Sequence, residues 1–403
     1  RGSEMCIRDR IKCIHIISSL KNIQKITRMK VLYILHATNM GGATISFLNM
    51  VKGLVDLGVD PLIVVPQKRI DPLFLKRVSD YGWPIKKCFL IESVLLERQG
   101  TLKKILKKLV LPLLKYYSFR QLLKIAKEET PMLIHTNTGI IHEGFDVASK
   151  LGIQHIWHLR EYQDKDFKLI PYPSFEQFCV KLKKSNVISI TEDILTHFGL
   201  SVNCRHKVIA NGIMERNEFI PHFNKQKYFL CASRISAEKG ITDAILAFAD
   251  FDKVIPDYEL WLAGTGDESY IKELKSLCLK LKCDSKVRFL GFRTDVKVLI
   301  SMAKALIVPS YFEGFGRMTA EACFCKTMVV GRNTGGTKCI LNYTGGLLFA
   351  TNQELLEQLK FVANIPSKEY EKMVLIARDK AIAAYSICLL YTSPSPRDRT
   401  RSR

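Results

Sequence analysis

Short apolar runs alternate with helix-length amphipathic segments along nearly the whole chain, and the series starts twice. The first series places runs at 31–35, 61–65, 85–90, 132–135, 153–159, 186–190 and 207–210, and the second at 228–231, 258–263, 287–290, 305–309 and 328–331. Such runs read as strands buried on both faces, and strands joined by helices build a parallel sheet covered on both sides. Between the two series, the stretch from Asn211-Gly212-Ile213 to Lys227 is polar, aperiodic and contains Pro221, which marks a linker. At 403 residues the chain is also too long for one ordinary core. The sequence therefore predicts an α/β protein of two doubly wound domains, 29–217 and 218–387.

The two ends fall outside this pattern. RGSEMCIRDR at the start and CLLYTSPSPRDRTRSR at the end share an Arg-Asp-Arg element, lack hydrophobic periodicity and resemble translated adaptor sequence. Residues 1–28 and 388–403 are therefore expected to be a non-native extension and a non-native tail, with the natural start at Met29. Of the formal charge of +22, +5 sits in 1–28 and +3 in 388–403, while 29–217 carries +10 and 218–387 carries +4. The basic excess thus belongs to the first domain. It comes without an aromatic stacking face or a basic recognition motif, so no nucleic-acid partner is expected. The twelve cysteines are scattered, with no C-x-x-C pair and no Cys/His cluster at zinc spacing. They read as reduced thiols of a cytoplasmic protein without a metal centre. No apolar run approaches the roughly 18 residues needed to cross a bilayer.

In doubly wound sheets ligands sit beyond the carboxyl ends of the strands, which directs attention to the loops there. The most informative is PSYFEGFGRMTAEA at 309–322. Gly314 and Gly316 let backbone N–H groups approach a ligand, a helix starting near Arg317 offers unpaired donors, and Glu313 and Glu321 flank it. With Glu313 on the loop and Glu321 inside the helix, the two carboxylates should touch different parts of one extended ligand. Taken alone, the same letters fit a turn glutamate and a first-turn carboxylate that compensates the helix dipole. The loop ASRISAEKG at 232–240 precedes a helix expected near Glu238, and its Arg234 and Lys239 suit a diphosphate as fork and point charge. Ser236 capping a turn with Lys239 is the plainer reading. Gly264-Thr265-Gly266 fits phosphate approach or a tight βα turn. Gly291-Phe292-Arg293 fits a main-chain contact to a base edge or a simple turn. In the first domain, Gly41-Gly42 open a helix, His158, Arg160 and Glu161 end a strand, and His135 reads as a core histidine.

Taken in this order, the loops resemble those of the retaining GT-B glycosyltransferases of the large family numbered four in the sequence classification, over about 29–361. The signature is E-x7-E (EGFGRMTAE, Glu313 to Glu321), with R-x4-K (Arg234 and Lys239), the Gly41-Gly42 loop and the N-G-I turn at Asn211. The resemblance implies two Rossmann-like domains facing a central cleft. The implied reaction moves a hexosyl unit from a UDP- or GDP-sugar to a cell-surface polysaccharide or lipid-linked glycan. It gives Glu321 the donor ribose hydroxyls, and gives Glu313 with the backbone of Gly314, Phe315 and Gly316 the transferred sugar. Arg234 and Lys239 take the diphosphate, His158 the donor sugar, and Gly41 and Gly42 the phosphate and acceptor region, with Gly264, Gly266 and Phe292 completing the donor set. Cations and N–H groups that offset the leaving-group charge make neither a metal nor a cofactor necessary. The sequence departs from the family at Cys339, where related chains carry an acidic residue after the G-G-T turn.

Residues 101–127 interleave Leu and Ile with Lys, and Pro112 is expected to split them into two short amphipathic pieces. These suit an anionic membrane surface at the inner face of the cytoplasmic membrane. A helix packed on the sheet with its lysines in water explains the same letters. Two other functions stay open, a sugar-nucleotide epimerase of the same fold and a non-catalytic nucleotide- or glycan-binding module. A nicotinamide enzyme is disfavoured, because Asn39-Met40-Gly41-Gly42 lacks the G-x-G-x-x-G pattern.

Overall fold

A computed structural model describes residues 28–97, 100–221 and 224–387. The expectations for residues 1–27 and 388–403 lie outside the described residues. The chain divides into two compact units, one running to Gly212 and one over Ile213–Ser386.

The first unit is built on seven parallel strands in the order β3-β2-β1-β5-β6-β8-β9. They are β1 (Met29–Ile34), β2 (Val59–Pro66), β3 (Ile85–Cys88), β5 (Leu133–Thr136), β6 (Gln154–Leu159), β8 (Asn186–Ser189) and β9 (His206–Val208). The helices are α1 (Gly42–Asp56), α2 (Pro72–Asp80), α3 (Thr101–Glu129), α4 (Glu143–Leu151), α5 (Asp164–Phe167), α6 (Phe175–Lys183) and α7 (Glu192–His197). Side chains of a strand alternate between faces, and here both faces are filled. Val31, Tyr33 and Leu35 join Phe47, Val51 and Phe74 of α1 and α2 in one cluster, while Leu32 and Ile34 join Leu122, Ala126 and Val147 of α3 and α4 in another. Two separate cores on one sheet explain why β1 is written as an uninterrupted apolar run.

The second unit repeats the plan with six parallel strands in the order β12-β11-β10-β13-β14-β15. Its strands are β10 (Gln226–Ala232), β11 (Glu259–Ala263), β12 (Val287–Gly291), β13 (Ala303–Val308), β14 (Met328–Arg332) and β15 (Leu347–Phe349). Its helices are α8 (Ile241–Asp252), α9 (Glu268–Leu281), α10 (Val296–Met302), α11 (Arg317–Phe324), α12 (Gly335–Thr344), α13 (Asn352–Asn364) and α14 (Ser367–Tyr385). Strand order reverses between β10 and β13, which is where ligands of doubly wound sheets sit, and the loops leaving these two strands lie side by side at the middle of the sheet.

Three sequence expectations need correction. Pro112 does not divide the basic segment, because α3 runs unbroken for 29 residues with Pro112 inside it. A proline removes the N–H that would bond the carbonyl four residues back, and here that carbonyl, of Lys108, accepts the Tyr172 hydroxyl at 3.4 Å instead. The helix expected near Glu238 is a single 3-10 turn, Ala237–Lys239, closed by Gly240 at φ +63° before α8 begins. The short strands β15, β4 (Val94–Leu96) and β7 (Leu169–Pro171), the last two forming an antiparallel pair, lie outside the runs read from the sequence, whereas the equally short β9 falls at one.

Candidate functional site

The carboxyl-edge loops of the second unit meet through main-chain atoms. Ser233 N–H donates to Ala263 O (3.0 Å), Ile235 N–H to Thr265 O (2.8 Å) and Gly264 N–H to Gly291 O (2.8 Å), which ties the loops after β10, β11 and β12. Tyr311 N–H donates to Glu238 O (3.1 Å) and Gly336 N–H to Glu313 O (2.8 Å), which ties the loop after β13 to its neighbours on both sides. Glycine is required where the backbones pass closest. At Gly264, φ is +144° and a Cβ would overlap the Ser233 carbonyl oxygen; at Gly336 a Cβ would overlap the Phe315 carbonyl. The glycine pattern of Gly264 and Gly266 is therefore already demanded by loop packing.

On this frame stand the charged residues of the two signature motifs. Glu313 accepts from Lys239 Nζ at 2.5 Å and from Ser310 Oγ at 2.9 Å. The pair is about four-fifths buried on each side. Lys239 closes the 3-10 turn after β10 and Glu313 lies on the loop after β13, so residues 74 apart in sequence converge. Ser236 does not cap that turn, since its side chain makes no capping bond. Arg234, on the same loop as Lys239, is exposed.

Glu321 is buried in α11 and accepts from Arg317 Nε at 2.7 Å, one turn back. It is the fifth residue of that helix, not a first-turn carboxylate. Arg317 also reaches Ile213 O at 3.3 Å, so one guanidinium holds the carboxylate and the opening residue of the unit. Gly316 caps α11 with φ +83° and Phe315 is buried beside Tyr385, with ring centroids 5.7 Å apart. Phe292 is 75% exposed, at the end of the loop that Gly264 grips.

Sequence reading missed Arg332. Its Nε donates to Pro309 O (2.8 Å), its NH2 bonds Asp243, and its guanidinium lies 4.5 Å over the Tyr311 ring, while the Tyr311 hydroxyl donates to Asp243 at 2.8 Å. This buttress fixes the loop that presents Glu313. Residues 243, 311 and 332 share no motif spacing that could have announced it.

In the first unit, Gly41 is the N-cap of α1, whose first turn has no acidic residue and no side-chain cap. The N-terminal N–H groups of a helix without such a cap favour an anion. His158, at the end of β6, is buried with its ring 5.4 Å from that of His135. Burial holds the His158 imidazolium well below the usual range, reinforced by Arg160 and His135. Burial likewise brings His135 down to about 3 and Arg160 to about 10. Thr138 Oγ1 and Gly139 N–H donate to Glu161 at 2.7 and 3.1 Å.

Residues 214–380 match the family model for glycosyl transferases group 1. An uncharacterized glycosyltransferase of Methanocaldococcus jannaschii is 32% identical over 123 residues, 29% of this chain and 30% of that protein. The aligned stretches span about a third or less of the length of the first curated relatives. A longer alignment, 24% identical over 62% of this chain and 69% of the relative, is with an α-1,4-N-acetyl-D-galactosaminyltransferase of Campylobacter jejuni acting on a diphospho-undecaprenol-linked glycan. Among solved structures, the Anabaena protein HepE in complex with UDP superposes with a TM-score of 0.70 at 20% identity, covering 90% of this chain and 97% of that one. This likeness shows the fold, two parallel-sheet α/β units of the GT-B type. The family match lies over the second unit's sheet and its braced carboxyl-edge loops, so it is this unit that is similar to the glycosyl transferases group 1.

Proposed function

We propose that the chain is a retaining, metal-independent glycosyltransferase that moves a hexosyl unit from a UDP- or GDP-sugar to a cell-surface polysaccharide or lipid-linked glycan. The observation that carries the reading is the convergence of Lys239 and Glu313 on a frame of main-chain contacts, beside the N-terminus of α11. Lys239 has three donors, so it can keep Glu313 and still meet a phosphate oxygen, with Arg234 at the open side of the same loop. As the bond from the sugar's anomeric carbon to the diphosphate breaks, negative charge grows on the departing oxygen, and fixed cations and N–H groups favour that state. The acceptor hydroxyl then attacks the oxocarbenium-like carbon from the same face, and its proton passes to the departing phosphate. Glu313 orients the sugar, and Glu321, held by Arg317, accepts from the ribose. Support for a uridine donor comes from the neighbour solved with UDP, and for a lipid-linked acceptor from the Campylobacter relative.

The reading includes a membrane surface as partner. Along α3, Leu102, Ile105, Leu106, Leu109, Leu113 and Tyr116 are exposed, while Leu111, Ser118, Leu122 and Ala126 are buried. At about 100° per residue the exposed apolar stripe spans roughly 100° and faces away from the packed side. Exposed Lys103 and Lys108 flank its two edges, and no acidic residue occurs within 101–127. An apolar stripe edged by lysines matches an anionic lipid surface. No described helix is long and apolar enough to cross a membrane.

A panel of UDP- and GDP-hexoses, scored by thermal shift and then by donor turnover with and without chelator, tests the reaction. Binding of one donor, chelator-insensitive turnover and its loss in Glu321→Ala are expected. Failure of every nucleotide sugar to bind would sink the proposal. Donor interconversion without acceptor would favour the epimerase instead, and binding without turnover the non-catalytic module.

A further inference from the structure

We infer that Arg160 is a positioning residue that fixes His158 as the tautomer protonated on Nε2 and so makes it a hydrogen-bond donor to a ligand oxygen. Arg160 is buried, and its guanidinium is held by neutral oxygens from two other segments: Nε donates to Asn137 Oδ1 at 2.9 Å and NH1 to Asn211 Oδ1 at 2.8 Å. Its third nitrogen, NH2, faces His158 Nδ1 at 3.4 Å. A guanidinium has donors only and stays charged, so Nδ1 can take part in that contact only as an acceptor. The neutral ring must then carry its proton on Nε2. An imidazolium would set an N–H donor against an N–H donor, in a buried place, beside a cation.

The ring's other nitrogen shows what this arrangement leaves over. His158 Nε2 is buried and has no hydrogen-bond partner among the described residues. A buried donor without a partner carries a cost that an incoming acceptor relieves, which gives a hydroxyl or phosphate oxygen a specific reward for docking there. The anchors matter as much as the contact. Asn137 follows β5 and Asn211 belongs to the N-G-I turn that ends the first unit, so the tautomer of His158 is set jointly by three stretches distant in sequence. The amide oxygens orient the guanidinium by direct hydrogen bonds, while the Glu161 carboxylate acts on it only through space.

The consequence for transfer rests on the glycosyltransferase reading, whereas the tautomer does not. Long-range proton–nitrogen NMR of the full chain labelled with 15N-histidine, assigned with His158→Gln, reads the tautomer directly. The expected wild-type spectrum has an unprotonated Nδ1 and a protonated Nε2, and Arg160→Met turns this into a mixture of both tautomers. Asn137→Ala and Asn211→Ala, which loosen the guanidinium without removing it, move the ratio the same way and serve if Arg160→Met does not fold. A proton on Nδ1 in the wild type, or ratios unmoved in all three variants, overturns the inference. With an active donor, Arg160→Met should lower kcat about tenfold, the loss of one hydrogen bond, with UDP affinity unchanged. An unchanged kcat with a scrambled tautomer refutes the role in transfer. A locked tautomer in a chain that turns over no donor would count against the glycosyltransferase reading and leave the tautomer assignment intact.

Discussion

Replacing Gly264 by Ala tests whether the donor-side loops are held by backbone contact. Two costs add. At φ +144° an alanine is strained by about 1–3 kcal/mol, the range for residues forced into sparsely populated backbone regions. Its Cβ would also overlap the Ser233 carbonyl oxygen and stand 2.8 Å from the carbonyl carbon, where ordinary contacts begin near 3.4 Å. The loop after β10 must then give way, at about 1–3 kcal/mol, the usual penalty of overpacking. The total is about 4 kcal/mol. Gly345→Ala isolates the first cost, because Gly345 also has positive φ (+93°) but nothing described lies within 4 Å of its Cβ position, so about 1–2 kcal/mol is expected. The difference, about 2 kcal/mol, is the worth of the close approach.

Trp261 reports on this unit alone. It is the second unit's single tryptophan, stacked on Tyr228 with centroids 3.9 Å apart, while Trp83 and Trp157 belong to the first unit. In a Trp83→Phe, Trp157→Phe background, urea titration followed at Trp261 should place the Gly264→Ala midpoint about 1 M below that of Gly345→Ala, taking about 2 kcal/mol per M. Coincident midpoints would refute the reasoning, since strain alone would then account for both.

Glu143 is almost fully buried, neither of its oxygens has a hydrogen-bond partner among the described residues, and the nearest cation, Lys115, stands 4.0 Å away and donates to Ser93. Burial raises its carboxyl to about 7. Because the folded chain then holds this proton more tightly than the unfolded one, stability of the first unit should fall by about 3 kcal/mol as pH rises from about 4.5 to 7, and stay level above. Glu143→Gln should remove that slope in urea titrations at pH 5 and 7.5, and an unchanged slope would assign it elsewhere. On the membrane side, Leu106→Glu, Leu109→Glu and Leu113→Glu together should abolish co-sedimentation with phosphatidylglycerol vesicles. Equal binding of the wild type to neutral and anionic vesicles would contradict the role given to the lysines.

What the sequence discloses here follows from how many residues announce a feature. Central strands covered on both faces stand out as apolar runs, which is why β1 and β13 are legible and the short edge strand β15 is not. Pro112 misleads because its effect depends on what becomes of the Lys108 carbonyl, and Tyr172 lies 64 residues away from it. The signature carboxylates were legible as a pair, but not their partners. Arg317 could have been found, since it lies four residues before Glu321 on a helix. The Arg332–Asp243–Tyr311 buttress and the Arg160–Asn137–Asn211 anchor could not, because only the folded sheet brings such distant positions to one edge.

The main-chain joinery of the second unit separates what holds from what chooses. Because the loops interlock by carbonyls and amides, outward side chains such as that of Phe292 are largely spared from bracing one loop against the next. Phe292 itself stands mostly in solvent. A chain so built can exchange such residues, and with them its preference among ligands, while the scaffold beneath keeps its shape. Diversification of such proteins should therefore concentrate in a few outward side chains and leave the glycines untouched.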